Sequence, residues 1–389
     1  MTHCKSVYQP QEDSTLLEKY VRQYSKGKVL DIGTGSGIQA IAAAQSKKVS
    51  SVLATDVQKG VVGYCRKNIK NKKIKFLRSD LFKNIKGKFD TIIFNPPYLP
   101  QELKLKDLTI EGGKKGYEVI ESFLDEVKHF LDTDGIVLMV FSSLTKKVKV
   151  DEFIKNNLLD FEELYRQHIF FEDIYMYLLR KNGFLKKLES NEIKKVKYFA
   201  KGHRGLLFTG IYKNKKVIIK TKNPESMAIG RILNEAKWLK RLNKLAIGPK
   251  ILISSSDYII YRYIEGKFML DYLCNSNNNK IKKVIKKIFA QMFVLDKLRI
   301  DKEEMHHPVK HVIVSKGKPV LLDFERVHNS DNPKNVTQFC QFITSGHVNH
   351  LLKNKKIGID KHRVIELARI YKGRKDTKNF KKIIEEICK

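Results

Sequence analysis

No stretch of this 389-residue sequence comes near the roughly 18 uninterrupted apolar residues that a membrane-spanning helix needs. The first residues, Met1-Thr2-His3-Cys4-Lys5, also lack the apolar core of a secretory leader. A cytoplasmic protein is therefore expected. Cysteine is scarce, and the five present (Cys4, Cys65, Cys274, Cys340 and Cys388) stand singly. With no C-x-x-C pair and no histidine at zinc spacing beside them, a disulfide framework and a cysteine-ligated zinc are excluded, and reduced, mostly buried thiols are expected. No internal repeat is visible.

Acid is in short supply too: 42 Asp and Glu stand against 76 Lys and Arg, for a formal net charge of +34. The excess is uneven. Residues 1–180 hold 29 basic and 23 acidic residues, which leaves about +6, and residues 181–389 carry about +28. A basic half attracts polyanions through counterion release, so RNA or ribosome contact is expected of the second half, unless its lysines only solvate helix faces. The apolar fraction of 42% is that of a soluble globular chain, and the length implies two domains.

Residues 28–180 alternate short apolar runs with helical patterns. Strands are predicted at 29–32, 51–54, 74–77, 91–94 and 136–141, with a final run at 169–179. Helices are predicted over 38–46, 58–70, 117–131 and 146–157. This alternation implies a parallel, doubly wound sheet of about seven strands. The pattern ends at Arg180-Lys181-Asn182-Gly183, and the charged stretch that follows reads as a connecting segment. From about 196 the style changes to a hairpin-rich β segment with a polar turn at Lys213-Asn214-Lys215. A helix (225–244) and strands Ile251–Ser254 and Tyr258–Tyr263 come next. Beyond the polar run Asn275–Lys280 the chain is mainly helical, apart from apolar runs at 312–314 and 320–322.

In the first half, the strand Val29–Ile32 enters Gly33-Thr34-Gly35-Ser36-Gly37 and then a helix, a turn that lets backbone approach a nucleotide-type ligand. Dinucleotide enzymes use a similar turn. Asp31 immediately before it and Asp56 at the end of the second strand favour S-adenosylmethionine: Asp31 would balance the cationic methionine end, and Asp56 would bind the ribose diol. Asp80, after the third strand, lies where an adenine amino group would be bound. After the fourth strand comes Asn95-Pro96-Pro97-Tyr98, in which two prolines stiffen the backbone. The Asn95 side-chain oxygen and the Pro96 carbonyl can accept hydrogen bonds from a planar NH2 group and aim its nitrogen at the methyl donor. Tyr98 supplies an aromatic wall. This constellation reads as N-methyl transfer, with Asn95, Pro96, Pro97 and Tyr98 at the acceptor nitrogen.

The segment Val7-Tyr8-Gln9-Pro10-Gln11-Glu12-Asp13-Ser14-Thr15-Leu16-Leu17 resembles an N-terminal motif of the HemK-type protein methyltransferases, specifically the archaeal and eukaryotic branch. Asp31–Gly37, Asn95–Pro100 and Gly112–Glu118 are similar to that family as well, over about residues 6–180. The resemblance implies methylation of the glutamine amide in the Gly-Gly-Gln segment of a translation release factor. It places Tyr8, Pro10, Glu12 and Asp13 over the cofactor, beside Gly33, Thr34, Gly35, Gly37 and Asn95. It also implies a small zinc-binding activator protein as partner. The rival reading is N-methylation of adenine in nucleic acid, since the same geometry serves any planar NH2, with a C-terminal pseudokinase or RNA-binding module beside it.

In the second half, Lys201-Gly202-His203-Arg204-Gly205 between two strands, then Lys220, Glu235 and Asp323-Phe324-Glu325-Arg326, stand in the order of the glycine-rich loop, phosphate-pairing lysine, its glutamate partner and metal-binding aspartate of protein kinases. About 196–330 resembles the atypical archaeal Ser/Thr kinases similar to the RIO and Kae1-associated kinases. That resemblance implies ATP and Mg2+, held through Gly202, Gly205, Lys220, Glu235 and Asp323. The catalytic loop departs from the kinase pattern, offering His306 as base and His311 as second metal ligand, so a nucleotide-binding pseudokinase is as well supported as an active enzyme. The expected fold class is α/β: a seven-stranded Rossmann-like class I methyltransferase domain (1–182) and a linker (183–195), followed by an α+β protein-kinase-like domain (196–389). Its β-rich lobe would span about 196–263 and its helical lobe 264–389.

Overall fold

Strands whose residues are apolar on both faces can be stable only when helices cover both sides of their sheet. The computed structural model, which describes residues 10–99, 112–169, 171–202, 205–222 and 230–389, meets that requirement in the first half. In chain order the elements are α1 (Glu12–Tyr24), β1 (Gly27–Ile32), α2 (Ile38–Gln45), β2 (Val49–Asp56), α3 (Lys59–Asn68), β3 (Ile74–Arg78) and β4 (Phe89–Phe94). They continue through α4 (Glu118–Phe130), β5 (Leu131–Ser142), α5 (Lys147–Asn156), β6 (Leu159–Ile169), β7 (Glu172–Lys181) and α6 (Gly183–Ser190). The seven strands form one sheet in the order β3-β2-β1-β4-β5-β7-β6.

Side chains alternate between the two faces, as the pleat requires. Val29, Ile93 and Leu138 pack under Leu17 and Val21 of α1 and Ala40 and Ala43 of α2. Leu30, Ile92, Phe94 and Met139 pack on the opposite face against Phe123, Leu124 and Val127 of α4 and Ile154 of α5. This is a Rossmann-like class I methyltransferase fold, with one correction to the expected parallel sheet. The first five strands in the sheet are parallel, but β7 runs antiparallel between β5 and β6. The chain reaches β7 from β6 through a hairpin, and a hairpin forces antiparallel pairing. The sequence pattern offered only one final run here. β6 is an edge strand whose Asp160, Glu162, Glu163 and Arg166 interrupt the apolar signal.

Residues 183–195, expected as a connecting segment, carry α6, whose N-cap Asn182 accepts from the Leu185 amide at 2.8 Å. The chain divides into two units between Tyr198 and Phe199.

The strand β8 (Lys194–Lys201) crosses this division, and the second unit continues with β9 (Gly205–Tyr212), β10 (Lys215–Lys222), α7 (Arg231–Leu242), β11 (Ile251–Ser254) and β12 (Tyr258–Arg262). These strands form a five-stranded sheet in the order β11-β12-β10-β9-β8. The predicted polar turn joins β9 to β10, with Lys213 and Asn214 both at positive φ. Then follow β13 (Lys267–Phe268), α8 (Met269–Cys274), α9 (Asn278–Lys297), β14 (Ile300–Asp301), β15 (Val312–Ser315), β16 (Lys318–Leu321) and β17 (His328–Asn329). Four helices close the chain: α10 (Asn335–Ile343), α11 (Gly346–Asn354), α12 (Lys361–Gly373) and α13 (Thr377–Ile387). A single apolar core, from Ile232 and Leu239 through Ile288, Phe289 and Phe339 to Ile387, runs under them.

Among the described cysteines all are free: Cys65 and Cys340 are buried, Cys388 is half-buried and Cys274 is exposed. No helix of the described residues is long and apolar enough to cross a membrane.

Candidate active sites

In a doubly wound sheet, ligands bind beyond the carboxyl ends of the strands where the strand order reverses, because there the helices diverge to opposite faces. Here that point lies between β1 and β4. Asp31 near the end of β1, Asp56 at the end of β2, Asp80 after β3 and Asn95 after β4 all come to this edge. The turn after β1 places Gly33, Gly35 and Gly37 at φ of 69°, 52° and 86°, a left-handed backbone that L side chains rarely adopt. At Gly37 a Cβ would also meet Ile69 Cδ1 at 2.4 Å.

Asp31 is buried, and its carboxyl is pushed up to about 7 by that burial, with the nearby Asp56 adding to the effect. Thr34 Oγ1 donates to Asp31 Oδ2 at 2.6 Å and partly offsets it. Asp56 is raised as well, mainly by burial, although it accepts from the Gln58 amide at 2.9 Å and the Gly35 amide at 3.2 Å. Two buried carboxyls with no cationic side chain paired to them among the described residues suit a cationic ligand. Asp80 differs: it is exposed and pairs with Lys83 at 2.5 Å. Pro10 and Glu12 are also exposed, and Tyr8 lies outside the described residues.

Asn95 leaves β4 half-buried, with Pro96 buried after it. Its Nδ2 donates to Asp13 Oδ2 at 3.0 Å and to Ser14 Oγ at 3.3 Å, whereas its Oδ1 is buried and has no partner among the described residues. The Tyr98 hydroxyl donates to Asp13 Oδ2 at 3.4 Å. Gly112 braces the segment: its amide donates to Leu99 O at 2.9 Å, and a Cβ there would meet Gly116 O at 2.2 Å and Pro97 O at 2.6 Å.

In the second unit a different polar group forms. Lys220 of β10 lies 2.7 Å from Glu235 Oε2 of α7, 2.8 Å from Glu325 Oε1 and 3.5 Å from Asp323 Oδ1. Burial acts against the Lys220 ammonium, but Glu235, Asp323, Tyr261 and Glu325 outweigh it and hold the group well above the usual lysine range. Burial raises Glu235 against the opposing pull of Lys220. For Asp323 burial is overcome by Lys220, Lys302 and His311, which hold its carboxyl below the usual range. Asp323 itself sits at φ 60°, a strained conformation for a residue with a side chain.

Glu304, His311 and Asp323 bring ligand-type atoms within 4.8 Å of one another, and so do Glu235, Asp323 and Glu325. His311 faces Glu304 through Nε2, 3.5 Å from Oε2, and its Nδ1 is buried and unpartnered among the described residues. His306 lies exposed on the preceding turn, outside both groups. Gly202 and Gly205 are joined by a 2.8 Å bond from the Gly202 amide to Gly205 O, and His203 and Arg204 between them lie outside the described residues.

Sequence reasoning missed three members of this group. Glu325 was visible as the residue replacing glycine in an Asp-Phe-Gly triplet. Glu304 and the buried Lys302 carried no signal. Burial pushes Lys302 down to about 8, and its Nζ donates to Asp323 O at 2.8 Å. A buried network holds this turn in place: Asp296 Oδ1 accepts from Asn335 Nδ2 at 2.8 Å, and Asn335 Oδ1 accepts from the Lys302 amide at 2.8 Å.

Against known proteins, the Methyltransferase small domain family matches residues 8–171. A protein of Methanocaldococcus jannaschii, provisionally named protein N5-glutamine methyltransferase, is 40% identical over 146 residues, which are 36% of this chain and 74% of that protein. The release factor glutamine methyltransferase of Lactococcus lactis is 31% identical over 144 residues, 33% of this chain and 53% of that one. The chain thus spans about three quarters of the archaeal relative and about half of the bacterial one. Among solved structures, a chain of the E. cuniculi complex responsible for methylation of the eRF1 translation termination factor is similar at 26% identity and a TM-score of 0.38, over 46% of this chain and 99% of that one.

Proposed function

The first half of this chain belongs to the protein N5-glutamine methyltransferase family, and on that premise we propose that it methylates the side-chain amide of a glutamine, in the Gly-Gly-Gln segment of a translation release factor. One observation carries the chemistry. Asn95 Oδ1 is a buried acceptor without a partner among the described residues, next to the stiff Pro96-Pro97 backbone at the switch point of the sheet. A desolvated acceptor recruits a donor, and a primary amide brings an NH2 group.

S-adenosylmethionine, when bound, supplies an electrophilic methyl group on its sulfonium. Asp31 and Asp56 would hold its cationic and ribose parts, with Thr34 and the turn Gly33–Gly37 beneath. Asn95 Oδ1 and Pro96 O accept the two amide hydrogens and orient the nitrogen, and Tyr98 walls the planar group. The nitrogen loses its proton after transfer, so no side chain is required as a base. A small zinc-binding activator is the partner that the family resemblance suggests, and co-purification of such a protein with the chain tests it.

The substrate assignment is tested by methyl transfer from labelled S-adenosylmethionine to purified release factor, with the Gly-Gly-Gln glutamine replaced by alanine as control. Label in the wild-type factor alone is expected. Label in RNA and none in protein sinks the assignment in favour of adenine methylation.

For the second unit we propose nucleotide binding with a divalent cation, in a kinase-like site. The support is the assembly of Lys220, Glu235 and Asp323, with His311 beside them. Lys220 would pair with phosphates, and Asp323, His311 and Glu304 would hold the cation. The net charge of this half favours an RNA-bearing setting such as the ribosome. Thermal stabilisation by ATP with Mg2+, absent in Lys220→Ala, tests nucleotide binding, and phosphate transfer dependent on Asp323 separates an active kinase from a binding module.

A further inference from the structure

A primary amide has a donor end and an acceptor end that are nearly the same shape, so something must decide which end of Asn95 meets the substrate. Asp13 and Ser14, in the first turn of α1, are buried to 5% and 2% exposure. Asp13 Oδ1 accepts from the Ser14 amide at 2.6 Å, while Oδ2 accepts from Asn95 Nδ2 at 3.0 Å and from the Tyr98 hydroxyl at 3.4 Å. Both oxygens are therefore engaged within the protein. Ser14 is held in turn, because its carbonyl accepts from Gln39 Nε2 of α2 at 2.8 Å.

A carboxylate offers acceptors only. Turned the other way, the Asn95 amide would set its own oxygen against Asp13 Oδ2 and leave its NH2 where the substrate amide must donate. Of two orientations differing by half a turn, one is satisfied. It leaves Oδ1 as the spare acceptor, buried and without a partner among the described residues.

We propose that Asp13 is a positioning residue for methyl transfer: it selects the Asn95 orientation that presents Oδ1 to the substrate NH2, and through Tyr98 it holds the aromatic wall in register. This differs from the role over the cofactor that the family resemblance implied for Asp13. It rests on Asn95 being the acceptor of an NH2 group.

The test uses the full chain and Asp13→Asn, which keeps the size but can offer either end to Asn95. Turnover is measured on release factor, and S-adenosylmethionine affinity by calorimetry. The expected result is a fall in kcat on the order of 10²-fold, with cofactor affinity unchanged and part of the loss recovered by Asp13→Glu. Weakened cofactor binding with kcat retained overturns the proposal and returns Asp13 to a cofactor role.

A second readout needs no substrate. The Asn95 side-chain NH2 resonance, identified by its loss in Asn95→Asp, moves in Asp13→Asn if the carboxylate sets the orientation. A resonance that stays in place overturns the positioning role. Absence of methyl transfer by the wild-type protein, in contrast, removes only the substrate reading.

Discussion

Lys220 Nζ lies 2.8 Å from Glu325 Oε1, so the lysine that would pair with nucleotide phosphates already holds a carboxylate from the position where kinases have glycine. The two side chains are 12% and 7% exposed, which keeps their attraction little screened. An anion arriving at Lys220 must compete with Glu325.

Replacing Glu325 with glutamine removes that competitor while keeping its shape. Affinity for ATP with Mg2+ is expected to rise by about tenfold, the equivalent of about 1.4 kcal/mol, in calorimetric titration of the full chain. Unchanged or weaker binding would show that Glu325 assists the nucleotide rather than excluding it.

Lys220→Ala strands Glu235 and Glu325, both buried, without their cation. Breaking a buried pair in this way costs about 3 kcal/mol or more. Denaturant unfolding at pH 7 should show a loss of that order, and Lys220→Ala combined with Glu235→Ala should recover part of it. A loss in the single variant of the size seen for surface lysines would mean that the pair is solvated.

The Asp31 carboxyl gives a pH dependence with a definite sign. Its folded value of about 7 lies above the unfolded value of 3.8, so between these pH values the folded chain binds the extra proton. The stability this group contributes is full below about 4 and is lost as pH rises toward 7. The loss amounts to on the order of 4 kcal/mol at most. The cofactor-free protein should therefore melt at lower temperature at pH 8 than at pH 5.5, and Asp31→Asn should flatten that slope. A cationic cofactor prefers the ionised form, so its binding should tighten over the same interval.

Gly112→Ala tests the brace behind Asn95-Pro96-Pro97-Tyr98. The added Cβ meets the backbone oxygens of Gly116 and Pro97 at 2.2 and 2.6 Å, so backbone must shift. A stability cost of about 1–3 kcal/mol is expected, together with loss of methyl transfer beyond what that cost explains. Gly63→Ala, where a Cβ meets nothing within 4 Å, is the control for adding a methyl group without a clash.

Asn95→Ala should reduce methyl transfer by about 10²-fold or more, because the orienting acceptor is gone. S-adenosylmethionine binding, measured by calorimetry, should persist. Retained turnover in Asn95→Ala would remove the proposed role of this side chain.

What could be read along the chain was whatever depends on neighbours in sequence. The alternation of apolar runs and helical patterns from 28 to 180 determined a Rossmann-like sheet, because strands buried on both faces must be apolar throughout. The glycine turn after Val29–Ile32 and Asn95-Pro96-Pro97-Tyr98 after the next central strand were legible as strand-end loops, and strand ends in such a sheet carry ligands. The charge asymmetry and the order of Lys220, Glu235 and Asp323 were legible in the same way.

Tertiary structure alone decided the rest. β6 was hidden because an edge strand keeps charged residues facing water. Asp13 and Asn95 stand 82 positions apart, and only the seating of α1 over the switch point brings them within hydrogen-bonding distance. Lys220 and Asp323 are 103 positions apart, and the turn of Glu304 and His311 joins Asp323 through a buried network anchored on Asp296. Residue types and short spacings specify which chemistry is available. Which end of the Asn95 amide faces the substrate, and which carboxylate holds Lys220, depends on long-range packing that excludes water and leaves each amide or ammonium one satisfied arrangement.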